Sequence, residues 1–147
     1  MSVDIRPLEN IGQLSILATL ADAEGHEIVS RLVEDWRRGE NRFDRSGEAL
    51  LIALGPADIV GVCGLNRDPF VAEGQVGRLR RLYVAPAWRR QGIASALVSE
   101  LLIRAVSWFD VVHVRTYNRS AVAFYRSLGF VEVKGDPTCT HRRDVAA

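Results

Sequence analysis

The apolar positions of this chain form two kinds of pattern, short continuous runs and stripes at spacings of three and four residues. Continuous runs bounded by turn residues are typical of buried strands, and the stripes are typical of amphipathic helices. The segment Gly55-Pro56-Ala57-Asp58, between two such runs, predicts a hairpin-like turn. The predicted elements are strands at 3–8, 49–54, 59–65, 78–84, 111–115, 130–133 and 140–145, and helices at about 10–18, 25–39, 93–108 and 120–128.

The order of these elements limits the possible folds. Strands follow one another in the middle of the chain and alternate with helices towards its end. This order predicts an α/β protein of the α+β type, in which a mixed sheet carries helices on both faces. A chain of 147 residues suits one domain with a single sizeable core, so we predict one domain over residues 1–147.

The composition is ordinary for a soluble globular protein, with 48% hydrophobic and 25% charged residues. No apolar run approaches the roughly 20 residues that a membrane-spanning helix needs. The first residues lack a basic segment followed by a long apolar run, so no signal peptide is predicted and we expect a cytoplasmic protein.

Cysteine and histidine are too scattered to predict a metal site. Cys63 and Cys139 are the only cysteines, and Cys63 lies in an apolar run where a small buried residue is expected. His26, His113 and His141 form no ligand spacing with each other or with the cysteines. We therefore predict no bound metal.

The basic residues are unevenly placed, although the formal net charge is only +1. Five arginines crowd one short stretch, and nearly every cation of the chain is a guanidinium, which suits bidentate binding of phosphate. A solvated basic face is an equally good interpretation for Arg78. The five are Arg78, Arg80, Arg81, Arg89 and Arg90.

The segment Arg89-Arg90-Gln91-Gly92-Ile93-Ala94 lies between a strand that stops at Ala85-Pro86 and a helical stripe. A helix that begins in this way presents unpaired backbone N–H groups and a positive dipole end, which together favour a phosphate group. Gly92 allows close approach of the backbone to such a ligand.

The hexapeptide fits the pattern Arg/Gln-x-x-Gly-x-Gly/Ala, and a second segment, residues 118–130, fits Asn-x-x-Ala-x-x-Phe-Tyr-x-x-x-Gly-Phe. With both motifs in this order, the chain resembles the GCN5-related N-acetyltransferase (GNAT) family. The resemblance implies a mixed, mostly antiparallel central sheet of about six to seven strands. It also implies binding of acetyl-CoA as the acyl donor.

The resemblance further implies how the donor is held. Backbone N–H groups of the loop would face the pyrophosphate, with Arg89 and Arg90 beside it. A splayed strand would use only its main chain to bind the pantetheine arm and polarise the thioester. Simple tight packing at the helix start is the alternative for Ala94. The implied cofactor-binding residues are Leu82, Tyr83, Val84, Arg89, Arg90, Gln91, Gly92, Ile93, Ala94, Asn118 and Tyr125.

Tyr125 is the candidate catalytic residue. A phenol is protonated at neutral pH and can donate a proton to the leaving thiolate. Spacing alone favours Tyr125 as another aromatic residue of the core, and the match to the family's Phe-Tyr-x-x-x-Gly-Phe motif favours the acid. Asn118 precedes a helix and can cap it, a role compatible with contact to the cofactor.

No general base is assigned. Many relatives carry a glutamate on the strand before the loop, whereas residues 78–84 contain no carboxylate. Glu73, Glu48, Asp68 and His113 are candidates, and each also suits a solvated or structural role. A water chain that ends at a backbone carbonyl would serve equally well.

These features together predict an acetyl-CoA-dependent N-acetyltransferase in which a primary amine attacks the thioester directly. If the arginines of the 78–81 stretch face the acceptor, a small amine with an anionic group is favoured over a polycationic tail. A non-catalytic acetyl-CoA-binding module is the alternative. A nucleic-acid-binding domain and a Rossmann domain are disfavoured because their motifs are absent. Three questions stay open. They are whether the protein is a monomer or a homodimer, whether the acceptor is a small molecule or a protein, and whether Trp88 is packed or exposed.

Overall fold

The computed structural model describes residues 3–146. It contains seven strands and four helices in these residues, in the predicted order. The strands are β1 (Asp4–Pro7), β2 (Ala49–Leu54), β3 (Ile59–Arg67), β4 (Val76–Val84), β5 (Val111–Val114), β6 (Val131–Glu132) and β7 (His141–Asp144). The helices are α1 (Ser15–Ala23), α2 (Ile28–Arg38), α3 (Ile93–Ala105) and α4 (Arg119–Ser127). No helix among these residues is long and apolar enough to cross a membrane.

The predicted helix at 10–18 is a 3₁₀ turn (Ile11–Leu14) followed by α1, which continues to Ala23. Two further helix boundaries differ from the prediction for identifiable reasons. Gly25 has a left-handed φ of 80°, and its N–H donates to Asp22, so this glycine ends α1 rather than starting α2. At the other boundary, α3 ends at Ala105, whose carbonyl accepts hydrogen bonds from Trp108 and Phe109. The apolar stripe continues past the helix because the chain folds back and Phe109 packs into the core.

The strands form one sheet in the order β1-β2-β3-β4-β5-β7-β6. Only β4 and β5 run parallel, and every other neighbouring pair is antiparallel. The predicted mixed, mostly antiparallel sheet is therefore confirmed, with seven strands.

Helices cover both faces of the sheet, as predicted. The alternation of strand side chains sends Leu51, Cys63 and Leu65 towards α3 and α4, whereas Leu50 and Val62 pack with α1 and α2. Cys63 is fully buried, and that burial raises the pKa of its thiol to about 12. The expectation that Cys63 is a small buried residue is thus confirmed, and a thiol with a raised pKa is poorly reactive.

Strand β4 separates from β5 after three paired residues. The parallel register ends at the pair Arg78 and His113. An extra residue enters β4 between the pairs Val62–Tyr83 and Gly64–Arg80, and Arg81 within this bulge has a left-handed φ of 62°. A bulge bends its strand and increases the local twist, so the carboxyl half of β4 diverges from β5 and opens a cleft.

Candidate active site

The loop between β4 and α3 has the backbone of an anion-binding site. Arg90 and Gly92 adopt left-handed φ values of 64° and 77°, and α3 begins at Ile93 directly after Gly92. The backbone N–H groups of residues 91–94 have no acceptor within residues 3–146. Left-handed residues at a helix start turn successive N–H groups towards one concavity, which suits a phosphate oxygen.

A cavity of about 240 Å³ lies against this loop. Its lining includes Arg90, Gly92 and Ala94 together with Val84 of β4 and Phe124 of α4. A Cβ atom added to Gly92 would meet no atom within 4 Å, so the space in front of the loop is open. Trp88, whose role the sequence left open, is partly buried against both hydrophobic cores and lines the same cavity.

Arg89 also lines this cavity, but its guanidinium is engaged by other residues. Its guanidinium forms a bidentate salt bridge with Glu24, at 2.6 Å and 2.9 Å, and its Nε donates to the Val84 carbonyl at 3.1 Å. The Tyr83 hydroxyl also donates to Glu24, and Arg89 lies over the Tyr83 ring at 5.6 Å. The bonds from Arg89 and Tyr83 hold the pKa of the Glu24 carboxyl below its ordinary value. Arg89 thus ties the loop to the end of α1.

A second cavity, of about 370 Å³, occupies the cleft where β4 and β5 diverge. We call it the cleft cavity. Its lining residues come from β4, from the end of β5, from α2 and α4, and from the segment after β3. They are Ile28, Phe70, Arg78, Leu79, Arg80, Arg81, Leu82, Val114, Arg115, Thr116, Ala121 and Tyr125.

Tyr125 reaches the cleft cavity from α4. Its ring is 5% exposed and meets Phe124 and Phe130 edge-on at centroid distances of 5.1 Å and 5.3 Å. Burial, with a smaller contribution from Cys63, raises the pKa of the Tyr125 phenol above its ordinary value. The raised pKa keeps the phenol protonated, and the hydroxyl makes no hydrogen bond within the described residues, so its proton is not engaged by another residue. The ring is both a core residue and part of the cleft.

Asn118 is the N-cap of α4. Its side-chain oxygen accepts hydrogen bonds from Ser120 at 2.9 Å and Ala121 at 3.2 Å. The capping role is confirmed, and the contact with the cofactor stays a prediction.

Two of the four candidate bases lie together, beside the cleft cavity but outside its lining. Asp68 is fully buried in its side chain and bonds His113 Nδ1 at 2.9 Å and Arg78 Nη2 at 3.1 Å. Glu48 is held by Asn66 and by the backbone of Arg67, which is a structural role. No base is assigned from this geometry.

No sequence pattern marked Glu24, Phe70 or Arg115 as site residues. Glu24 lies 65 positions from Arg89, and no local pattern marks it. Within residues 3–146, no group of three or more histidine, cysteine or carboxylate side chains could hold a metal ion.

Comparisons with known proteins agree with this geometry. The sequence model of the Acetyltransferase (GNAT) family matches residues 9–130. The N-alpha-acetyltransferase RimI of Mycobacterium tuberculosis is 34% identical over 99 residues, which cover 58% of this chain and 60% of RimI. The chain spans less than two thirds of the length of the curated relatives that it matches.

Solved structures share the fold along almost the entire chain. A protein of Exiguobacterium sp. 255-15 assigned to the acetyltransferases has a TM-score of 0.86 at 28% identity, covering 99% of this chain and 95% of that one. The PaiA N-acetyltransferase of Thermoplasma acidophilum, solved in complex with coenzyme A, has a TM-score of 0.71 at 20% identity. That match covers 98% of this chain and 99% of PaiA.

Proposed function

This chain belongs to the acetyltransferase (GNAT) family, and on that premise we propose that it transfers an acetyl group from acetyl-CoA to a primary amine. One observation carries the proposal. The cavity of about 240 Å³ at the loop and the cleft cavity lie along the same two elements: Val84 and Phe124 line the first, and Leu82 and Tyr125 line the second. An extended donor can therefore reach from an anion-binding loop to a buried phenol.

The loop would hold the pyrophosphate through the N–H groups of Gln91, Gly92, Ile93 and Ala94. Arg90 is exposed and has no ion-pair partner in residues 3–146, so its guanidinium can neutralise the phosphates. Arg89 would act differently from the first expectation, because its guanidinium is engaged by Glu24 and holds the loop in place. Coenzyme A bound to the PaiA relative supports the assignment of this ligand.

The cleft would position the acetyl thioester, which acetyl-CoA supplies. Backbone groups of Leu82, Tyr83 and Val84 would bind the pantetheine arm and polarise the thioester carbonyl. A preorganised N–H group aimed at a developing oxyanion contributes on the order of 3 kcal/mol. The neutral amine nitrogen attacks the carbonyl carbon, the carbon–sulfur bond breaks, and Tyr125 Oη donates its proton to the departing sulfur. The proton that the nitrogen loses passes to water, and water returns a proton to the Tyr125 phenolate. Asn118, at the start of α4, would add a contact to the donor.

The acceptor is proposed to be a small amine with an anionic group, because arginines of the 78–81 stretch line the cleft cavity. The RimI relative is by its name an N-alpha-acetyltransferase, so a peptide α-amine belongs in the test.

The test is thiol release from acetyl-CoA over a panel of acidic, neutral and basic amines and short peptides. Amine-dependent release, with the acetylated amine detected by mass spectrometry, is the expected result. If the protein binds acetyl-CoA but acetylates none of these amines, it is a non-catalytic binding module instead.

A further inference from the structure

The cleft cavity has an unusual distribution of charge. Four arginine residues line it, and no acidic residue of the described part of the chain does. An amine acceptor carries a positive charge before it is deprotonated, so this lining repels it unless the same molecule also brings negative charge. The four are Arg78, Arg80, Arg81 and Arg115.

Two of these arginines have a carboxylate partner and two do not. Arg81 pairs with Asp35 at 3.2 Å, and Arg78 pairs with Asp68 at 3.1 Å. Arg80 and Arg115 have no carboxylate oxygen within 4.0 Å among residues 3–146. Burial, and then the charges of Arg81 and Arg78, lowers the pKa of the Arg80 guanidinium, and the charges of Asp35 and Asp68 oppose this only in part.

Arg78 has an unsatisfied donor. The residue is 4% exposed, and its Nε is the one buried side-chain nitrogen or oxygen in residues 3–146 without a hydrogen-bond partner. The Phe70 ring lies over the guanidinium at 5.0 Å and also lines the cavity. A buried N–H group without an acceptor is unfavourable, so an anion bound beside Arg78 would stabilise its guanidinium.

We propose that Arg78, Arg80 and Arg115 form a subsite for a carboxylate or phosphate group of the acceptor amine. The inference rests on the proposed acetyl transfer and deepens it by assigning the substrate class and the residues that select it. Because Tyr125 lines the same cavity, an anion bound to these arginines places the amine of a small molecule near the thioester. Arginine suits both anions, since its planar donors match carboxylate and phosphate oxygens.

The experiment compares amines that differ mainly in charge. One set is 4-aminobutanoate, its primary amide and 1,4-diaminobutane, and the second set is phosphoethanolamine and ethanolamine. We expect kcat/KM to be at least about tenfold higher for the acidic member of a set than for its neutral member. The two sets separate a carboxylate from a phosphate acceptor. Equal turnover of acidic and neutral amines, or a preference for the diamine, overturns the proposal.

Variants assign the effect to the subsite. Arg80→Gln and Arg115→Gln should raise KM for the acidic amine about tenfold and leave KM for the neutral amine within about twofold. Arg80→Glu should shift the preference towards the diamine. Arg104→Gln is the matched control, because Arg104 lies on α3 in an exposed pair with Glu100 and outside the cleft cavity. An equal effect of all three glutamine variants overturns the proposal.

Failure of the inference and failure of the proposed function are distinguishable. Calorimetry with CoA present measures binding of the acidic amine without turnover. If no amine is acetylated, the proposed function fails, and binding that Arg80→Gln weakens still supports the subsite. If amines are acetylated but the acidic amine binds no better than its amide, the subsite is wrong and the acetyl transfer stands.

Discussion

Replacement of Tyr125 by phenylalanine tests the proposed proton donor with little effect on the fold. The ring is 95% buried and packs against Phe124 and Phe130, contacts that phenylalanine keeps. The hydroxyl makes no hydrogen bond within residues 3–146, so its removal leaves no other polar group without a hydrogen-bond partner. We therefore expect a change of less than about 1 kcal/mol in unfolding free energy, a midpoint shift below about 4 °C.

The same substitution should be costly for turnover. A positioned general acid contributes about 10²- to 10⁴-fold, so kcat should fall by that factor, which corresponds to about 3–5 kcal/mol in the barrier. Burial raises the pKa of Tyr125, so its proton is retained and no alkaline loss of kcat below about pH 10 should come from this residue.

The assay is steady-state thiol release at saturating amine, together with calorimetric affinity for acetyl-CoA. Trp108→Phe is the control, because that aromatic side chain is 48% exposed and lies outside the cleft cavity. A Tyr125→Phe protein that binds acetyl-CoA normally and keeps kcat within about threefold would refute the role of Tyr125 as acid.

Three further predictions concern stability. Gly64→Ala places a Cβ 2.2 Å from Phe43 Cε1, and this overpacking should destabilise the fold by about 1–3 kcal/mol in urea unfolding; an unchanged midpoint contradicts it. Leu101→Ala removes a fully buried side chain of α3 and should cost about 3–5 kcal/mol by the same assay, and a loss below about 1 kcal/mol would be inconsistent with a packed core. The Arg89 ion pair lowers the pKa of Glu24, so its stabilisation is present above about pH 4.5 and is lost as pH falls through the lower native value. Glu24→Gln should therefore make the melting temperature depend less on pH in the acid range. An identical pH dependence of the melting temperature in both proteins would contradict a stabilising role of the pair.

The parts of the site that the sequence predicted are those encoded locally. Gly92 and the following helix lie within one short segment, so their pattern specifies a turn, a helix start and unpaired N–H groups together. Asn118 is likewise marked by its place before a helical stripe. Such features depend on neighbouring residues, and the tertiary structure leaves them unchanged.

Other parts depend on contacts between distant segments. The Glu24–Arg89 pair joins the end of α1 to the loop, and it turns an expected phosphate ligand into a residue that fixes the loop. The assembly of Asp68, Arg78 and His113 arises because β3, β4 and β5 lie side by side. The bulge at Arg81 is equally unpredictable, since only the register with β3 reveals the extra residue.

The most direct test of the account is thermal unfolding with acetyl-CoA, CoA and 3′-dephospho-CoA, in the wild type and in Gly92→Glu. Acetyl-CoA at about 100 times its dissociation constant should add about 2.7 kcal/mol and raise the midpoint by about 5–10 °C. Gly92→Glu should abolish the rise. Gly74→Glu should keep it, because Gly74 also has a left-handed φ, with no atom closer than 3.9 Å to an added Cβ, but precedes β4 at the opposite end of that strand from the loop. No rise in the folded wild type at millimolar acetyl-CoA, or an equal rise in Gly92→Glu, would contradict the account.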